Sequence, residues 1–504
     1  MISRTNNAIK NFNIAIIFQV TNIVLKFLMR SVFIYCLGKE YLGVSGVFSN
    51  VLTVLSLAEL GVGTAIVYDM YKPIAEKDNY LITQIMSFYK KIYFFIGIII
   101  FAIGMCLLPF LSFLIKEVSR VHNLQLIYCL FLIQTCSSYF FAQYNSILSA
   151  NQCNYIITRI NIITSFFKTF LEIIALLIFK DYIVYLCIGI FLGIITNYII
   201  YRKAYKMFPY IKEKAEPLEK KRVLRIFSNT VSMFSIRIGS TLVNATDNII
   251  ISGFVSTVLV GIYSNYGLII NTVLTLTVVI QQSILAGVGD LCVSNDKKKN
   301  VDIFEKIRFF YAGMYCVIFT CLYSLLTPFI TLWLGSGYIL ENVIVFVLTL
   351  NCYLSGIRQP VEMFIYADGL FKYFKFKPWI EAVCNIVISV ILVNYLGLLG
   401  VFLGTTISHC LTTLWYDAYV VYKYSLGEKY INYWWKFILY FAITVLSIII
   451  TSKINNLSFF DSCFIGKLLV SLLVSSGLFT FAFWKTNYFQ FYLKLVKKKI
   501  FHRR

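Results

Sequence analysis

Acidic side chains are scarce in this sequence. Its 504 residues hold 23 Asp and Glu against 45 Lys and Arg, and the charged share is only 13%. A soluble domain carries about a quarter charged residues and about half apolar ones. Here the apolar share is 59% and the mean hydropathy is +0.78. That balance excludes a soluble globular protein. Histidine is scarcer still: His122, His409 and His502 are the three present, which gives little support for imidazole catalysis or a histidine-built metal site. Thirteen cysteines occur without C-x-x-C or metal-ligand spacing. Five of them (Cys106, Cys129, Cys136, Cys316, Cys352) sit in apolar runs, where a free thiol behaves as a small hydrophobe. No G-x-x-x-x-G-K-[ST] loop occurs, so nucleotide binding by a Walker motif is excluded. No D-x-D element for a nucleotide-sugar is present. No segment between apolar runs is long enough for a catalytic domain, so the chain reads as a non-enzyme that needs no organic cofactor.

What the chain has in abundance is long apolar runs. Each is about 20 residues or more, the length of a membrane-crossing helix and too long for the alternating strands of a barrel. Hydropathy predicts about fourteen transmembrane helices, at 13–37, 42–68, 88–115, 124–149, 160–179, 182–201, 228–252, 258–288, 308–334, 340–366, 378–396, 398–421, 434–452 and 463–484. The first run is too long for a signal peptide and lacks a small-residue cleavage site, so it reads as a retained span. Thirty-four of the 45 Lys and Arg fall on the side of the N-terminus and every second loop, and six on the other. The positive-inside rule then places both termini in the cytoplasm. The formal net charge of +22 is thus a topology signal facing anionic lipid, not a nucleic-acid footprint.

The longest cytoplasmic loop, "RKAYKMFPYIKEKAEPLEKKRVLR" at 202–225, follows the sixth span. The sequences on either side match at a nearly constant offset. "YLGVSGVFS" (41–49) parallels "LVGIYSNYG" (259–267), with Gly43 over Gly261. "LLPFLSFL" (107–114) parallels "LTPFITLW" (326–333), and "SAN" (149–151) parallels "YAD" (366–368). Six spans per repeat is an even number, so the repeats are parallel and related by an axis along the membrane normal. The expected organisation is an N-lobe at 1–205, a linker at 206–226, a C-lobe at 227–430, and a terminal helix pair with a basic tail at 431–504. Two six-helix lobes with a cleft between them suit a transporter that works by alternating access.

Five cations lie inside spans: Lys26, Arg30, Lys168, Arg237 and Arg358. On the first helix Gln19, Asn22, Lys26 and Arg30 share one face. On the seventh, Arg237, Ser240, Asn244 and Asp247 do the same. The fifth carries Asn161, Ser165, Lys168 and Glu172, and the tenth Asn351, Ser355, Arg358 and Glu362. Glu59 lies within the second. Charge at bilayer depth marks a pathway or an internal ion pair. Lys168–Glu172 and Arg358–Glu362 are spaced i,i+4, so either reading stands for them. Lys26 and Arg30 repel each other on one face and call for an anionic partner, which is Glu59 or a ligand. Arg237 and Asp247 lie about 15 Å apart along a helix and do not pair. Clustered cations suit a phosphate-bearing substrate. With no ATP site, the energy would come from an ion gradient or the membrane potential, worth roughly 2.3 kcal/mol per charge per 100 mV. Glu59, Asp247, Glu172 and Glu362 are the acids that would couple Na+ or H+, or else form structural pairs.

The segments "LSLAELGVGTAIVYDMYKPIAEKD" (55–78) and "ATDNIIISGFVSTVLVGIYSNYGLIINTV" (245–273) resemble the bacterial polysaccharide transporters, lipid-linked oligosaccharide (O-antigen-type) flippases of the multidrug/oligosaccharidyl-lipid/polysaccharide exporter superfamily. The resemblance covers essentially the whole chain. It implies the MATE-like fold of that superfamily. It also implies movement of an undecaprenyl-diphosphate-linked repeat unit across the cytoplasmic membrane, for O-antigen and lipopolysaccharide, capsule or exopolysaccharide synthesis. Partners would be the lipid-linked oligosaccharide, membrane lipids, and a polysaccharide polymerase with other assembly proteins. The first and seventh helices line the central cavity in this superfamily, so Lys26, Arg30 and Arg237 would contact the diphosphate or acidic sugars. Two neighbours within the superfamily are alternatives. An ion-coupled multidrug antiporter favours an acidic, aromatic cavity, which the excess of buried cations opposes. A lipid II flippase is not separated by charge pattern. An envelope-assembly scaffold or enzyme is opposed by the lack of an extramembrane domain.

Overall fold

The computed structural model describes residues 4–59, 62–116, 121–213, 216–220, 222–224, 226, 241–242, 245–293, 297–374, 376–456 and 464–501. Among them no strand occurs, and twelve helical segments are long and apolar enough to cross a membrane. The chain is an all-α multi-pass membrane protein. The first of the twelve, Phe18–Leu55, is two of the expected spans joined at Gly38. Gly38 has φ +82° and ψ −175°, with nothing within 4 Å of where a Cβ would stand. Glycine is required there by conformation and not by space. The resulting helices are α1 (4–37) and α2 (39–55). The expected span at 228–252 falls largely on residues outside the described set. The kink and that span account for the difference between twelve and about fourteen.

The chain forms two compact units, Met1–Ser264 and Asn265–Arg504. The first contains α1, α2, α3 (Val62–Glu76), α4 (Asn79–Cys106), α5 (Leu124–Ala150), α6 (Asn154–Phe179), α7 (Tyr182–Met207) and α8 (Ala245–Val255). It also contains the first turns of α9 (Thr257–Val293). Several helices start earlier than hydropathy alone indicates. Helix α4 begins at Asn79, not near 88, because Asp78 caps it by accepting from the Leu81 N–H at 2.9 Å. Lys90 and Lys91 lie exposed in its more polar N-terminal half. A four-residue 3-10 turn, Ser56–Glu59, interrupts the second span between α2 and α3.

Within this unit, α2 and α9 cross at backbone contact. A Cβ on Gly43 would overlap the Thr257 carbonyl oxygen and lie 2.9 Å from its carbon. A Cβ on Gly261 would overlap the Lys39 carbonyl oxygen and lie 2.9 Å from the Gly43 nitrogen. The two glycines paired by the sequence repeat therefore face each other. Small residues at such crossings let helices without a hydrophobic drive gain van der Waals contact. The crossing is pinned beside Thr257. The Lys116 N–H donates to its Oγ1 at 2.9 Å, and the Ser252 hydroxyl, 2.7 Å away, bonds the Leu114 carbonyl at 2.6 Å.

The second unit is organised around α10 (Lys297–Leu334), which packs against α11 (Asn342–Ala367), α14 (Ile431–Asn455) and α15 (Phe464–Phe483). Helices α12 (Lys377–Leu396) and α13 (Leu398–Leu426) form a tight hairpin through Gly397, φ +55°. A Cβ on Gly400 of that hairpin would overlap the Leu392 carbonyl. The terminal pair, α14 and α15, is held by rings and charge. Phe309 meets Phe479 at 5.3 Å and Phe483 at 5.7 Å. Arg308 and Glu305, both buried, pair at 3.3 Å, and Lys436 of α14 reaches Glu305 at 3.0 Å. A final helix, α16 (Asn487–Phe501), follows α15.

Candidate functional site

In the first unit Arg30, on α1, is half-buried and donates to the Ser264 hydroxyl at 2.9 Å. That hydroxyl in turn donates to the Gly261 carbonyl at 2.8 Å. The Tyr182 and Tyr185 hydroxyl groups are its electrostatic neighbours. The two tyrosine rings stack at 5.7 Å and are braced edge-on by Phe33. Among the described residues no carboxylate lies within ion-pair distance of Arg30 or of the exposed Lys26. The anionic partner that Lys26 and Arg30 call for is therefore not Glu59 in this conformation.

Glu59 instead faces a cavity of about 350 Å³ lined by Ser49, Thr53, Ser56, Gln134 and Thr135. The Tyr139 hydroxyl donates to Ser56 there at 2.8 Å. With Leu52 and Phe131 also in the lining, the site presents one carboxylate and a few neutral polar groups on a largely apolar wall, where the carboxylate can take up a proton. Lys168 and Glu172 lie 3.8 Å apart on α6. The Glu172 carboxylate is buried against Gly189 of α7, beside Gln134. Asp247 is buried beside Tyr263. Arg237, Ser240 and Asn244 lie outside the described residues.

The second unit brings together a network that the sequence suggests only in part. Arg358 pairs with Glu362, one turn on, and donates to Asp417 Oδ2 at 3.3 Å. Lys377 meets Asp417 Oδ1 at 3.1 Å and Glu381 Oε2 at 3.4 Å, and His409 Nδ1 lies 3.0 Å from Glu381. Helix α11 breaks next to Pro360, which turns Arg358 and Glu362 toward α13. Two π-helical stretches in α13, His409–Thr413 and Val421–Leu426, flank Asp417. Asn351, from the same sequence stripe as Arg358, is spent on packing. It donates to the Phe402 carbonyl at 3.1 Å and accepts from Thr406 at 2.7 Å.

Sequence reasoning passed over Asp417, Glu381, His409 and Lys377 as members of one site. Asp417 was within reach, as an acid inside the expected span 398–421. Lys377 sits just outside a hydropathy window and reads as a loop cation until the helix is seen to extend, and Arg308 and Lys436 stand at the first turns of theirs.

Charged residues gathered in internal networks, on helices whose outer faces carry rows of exposed Phe, Ile and Leu, define a polytopic membrane protein. The chain belongs to the polysaccharide biosynthesis protein family, whose model matches residues 8–286. Solved structures share its fold. The lipid II flippase MurJ in an inward closed conformation has a TM-score of 0.64 at 17% identity, over 95% of this chain and 100% of that one. An inward-facing multidrug resistance MATE family transporter of the MOP superfamily has a TM-score of 0.61 at 14% identity, over 79% and 94%. The Vibrio cholerae MATE transporter VcmN in its bent form has a TM-score of 0.54 at 14% identity, over 84% and 98%. No curated protein matches the chain.

Proposed function

We propose that this protein flips an undecaprenyl-diphosphate-linked oligosaccharide repeat unit across the bacterial cytoplasmic membrane for surface polysaccharide synthesis, as O-antigen, capsule or exopolysaccharide. Alternating access of two lobes, with both termini cytoplasmic, is the mechanism this reading adopts. The observation that carries it is Arg30: a half-buried cation on a membrane helix that meets only hydroxyl groups among the described residues. A guanidinium so placed is available to a diphosphate in bidentate geometry. Lys26, one turn away, adds a point charge. Arg237 joins them on the sequence expectation alone. Lys168 and Arg358 play a different part, since each already faces a carboxylate. Coupling to Na+ or H+ is assigned to Glu59, the one acid among the described residues that line the cavity at Ser56. Membership of the polysaccharide biosynthesis family supports the substrate class, and a polymerase and other assembly proteins would be its partners.

The test is complementation of a strain deleted for the gene. Arg30→Ala should abolish surface glycan while the protein stays in the membrane at wild-type level, and Arg30→Lys should restore part of it. Normal glycan from Arg30→Ala would remove the cavity role. A drug-efflux phenotype with unchanged glycan would favour the antiporter reading.

A further inference from the structure

A second basic site lies away from Arg30. The N-terminal end of α6 and the C-terminal end of α7 enclose a groove of about 790 Å³. Five cations line it: Arg159, Arg202, Lys203, Lys206 and Lys212. None of them is ion-paired among the described residues. Between them Ile160, Ile163 and Ile199 form an apolar floor. Ile163 and Ile199 are 49% and 40% exposed, so the floor opens sideways and not into the protein. The spacing along the helices sets the depth. Arg159 lies seven residues, about 10 Å, below Phe166. Phe166, Phe167 and Phe170, all more than half exposed, begin the lipid-facing belt of α6. The cations thus stand at headgroup level and the isoleucines at the start of the acyl region. The wall is rigid. Tyr205 contacts Tyr201 at 4.6 Å and Tyr144 at 5.5 Å, and Lys212 sits 5.3 Å from the Tyr205 ring.

We propose that this groove binds the phosphate headgroup of an anionic phospholipid from the leaflet that the basic loops face. Basic pockets between helices on that side are suited to anionic headgroups. The lining also argues against the flipped substrate as occupant. The described lining side chains include no Asn, Gln, Asp or Glu to accept from sugar hydroxyls; the two tyrosines are the acceptors, and the cations only donate. The site does not depend on which lipid-linked glycan the protein moves.

The experiment is native mass spectrometry of the full-length protein in detergent, titrated separately with cardiolipin, phosphatidylglycerol, phosphatidylethanolamine and undecaprenyl diphosphate. The wild type should retain cardiolipin and phosphatidylglycerol and release phosphatidylethanolamine. Each neutralised cation should weaken binding about five-fold, so Arg159→Gln with Lys206→Gln should lose about 25-fold. Arg159→Lys with Lys206→Arg should bind as wild type does. These side chains are exposed, and a melting curve of each variant checks the fold. If the glutamine pair misfolds, Lys203→Gln with Lys212→Gln carries the same expectation. Unchanged affinity in a folded glutamine variant, or equal retention of phosphatidylethanolamine, overturns the proposal. So does undecaprenyl diphosphate displacing the phospholipids from the wild type but not from the glutamine variant, which would make the groove a substrate site.

Discussion

Replacing Gly43 by alanine sets a methyl carbon against the Thr257 carbonyl group, 2.9 Å from the carbon and overlapping the oxygen. Ordinary contact begins at 3.4 Å, and the overlapping oxygen sets the demand, so the α2 and α9 backbones must separate by about an ångström or more at the crossing. No side chain can yield, because the obstructing atoms are main chain. Overpacking of this kind costs about 1–3 kcal/mol. In a unit of this size each kcal/mol moves the melting point by roughly 2–4 °C. The assay is the temperature at which a fluorescent-protein fusion, heated in mild detergent, loses its monodisperse peak on size exclusion. Gly43→Ala and Gly261→Ala should each lower it by several degrees. Because both methyl groups strain one contact, the double variant should fall short of the sum. Gly193→Ala on α7 is the control: its Cβ meets nothing within 4 Å, and alanine is the better helix former. Equal shifts in Gly43→Ala and Gly193→Ala would refute the backbone crossing.

Three further outcomes follow from the charge networks and the loops. Asp417→Asn strips Lys377 and Arg358 of their shared carboxylate, and about 3 kcal/mol of destabilisation should appear as lost expression or early melting; a wild-type melting curve would show the network contributes nothing. Lys436→Met removes the link from α14 to Glu305 and should raise amide exchange in α14 while leaving α12 and α13 unchanged; uniform exchange would place the attachment in the aromatic contacts of Phe309 alone. A single cysteine at 212, in a cysteine-free background, should resist an impermeant maleimide applied to intact cells and react once they are opened. Labelling from outside would invert the proposed topology.

The membrane class and most spans were legible because apolar length and the bilayer thickness are one constraint. Helix ends were not. Asp78 caps α4 well before its apolar stretch, and α10 runs back to Lys297, because hydrogen bonding and capping continue where hydropathy stops. Gly43 and Gly261 were legible as a matched pair, and two helices need a small residue at those positions. That the two glycines touch each other is a tertiary fact with no linear signal. The i,i+4 pairs Lys168–Glu172 and Arg358–Glu362 were readable from helical spacing alone. The remaining partners of Arg358 and Lys377 come from α12 and α13 and depend on where π-helical turns in α13 set Asp417 and His409.

Pairing also divides the intramembrane cations by what they can do. An anion approaching Arg358 must compete with Glu362 and Asp417, two carboxylates already in contact with it. Removing either leaves a poorly solvated charge behind, a loss of about 3–5 kcal/mol when such a pair is broken. An anion approaching Arg30 displaces no carboxylate among the described residues; it exchanges with a serine hydroxyl, whose net contribution is about 1 kcal/mol. The same guanidinium group is thus held in place at one position and open to a ligand at the other. Lysine should discriminate them: at position 30 it keeps a charge for an anionic ligand, whereas at 358 it cannot span two carboxylates with one fork. Arg30→Lys should therefore retain some glycan export in a stable protein, and Arg358→Lys should lower the melting temperature before any change in transport is measured.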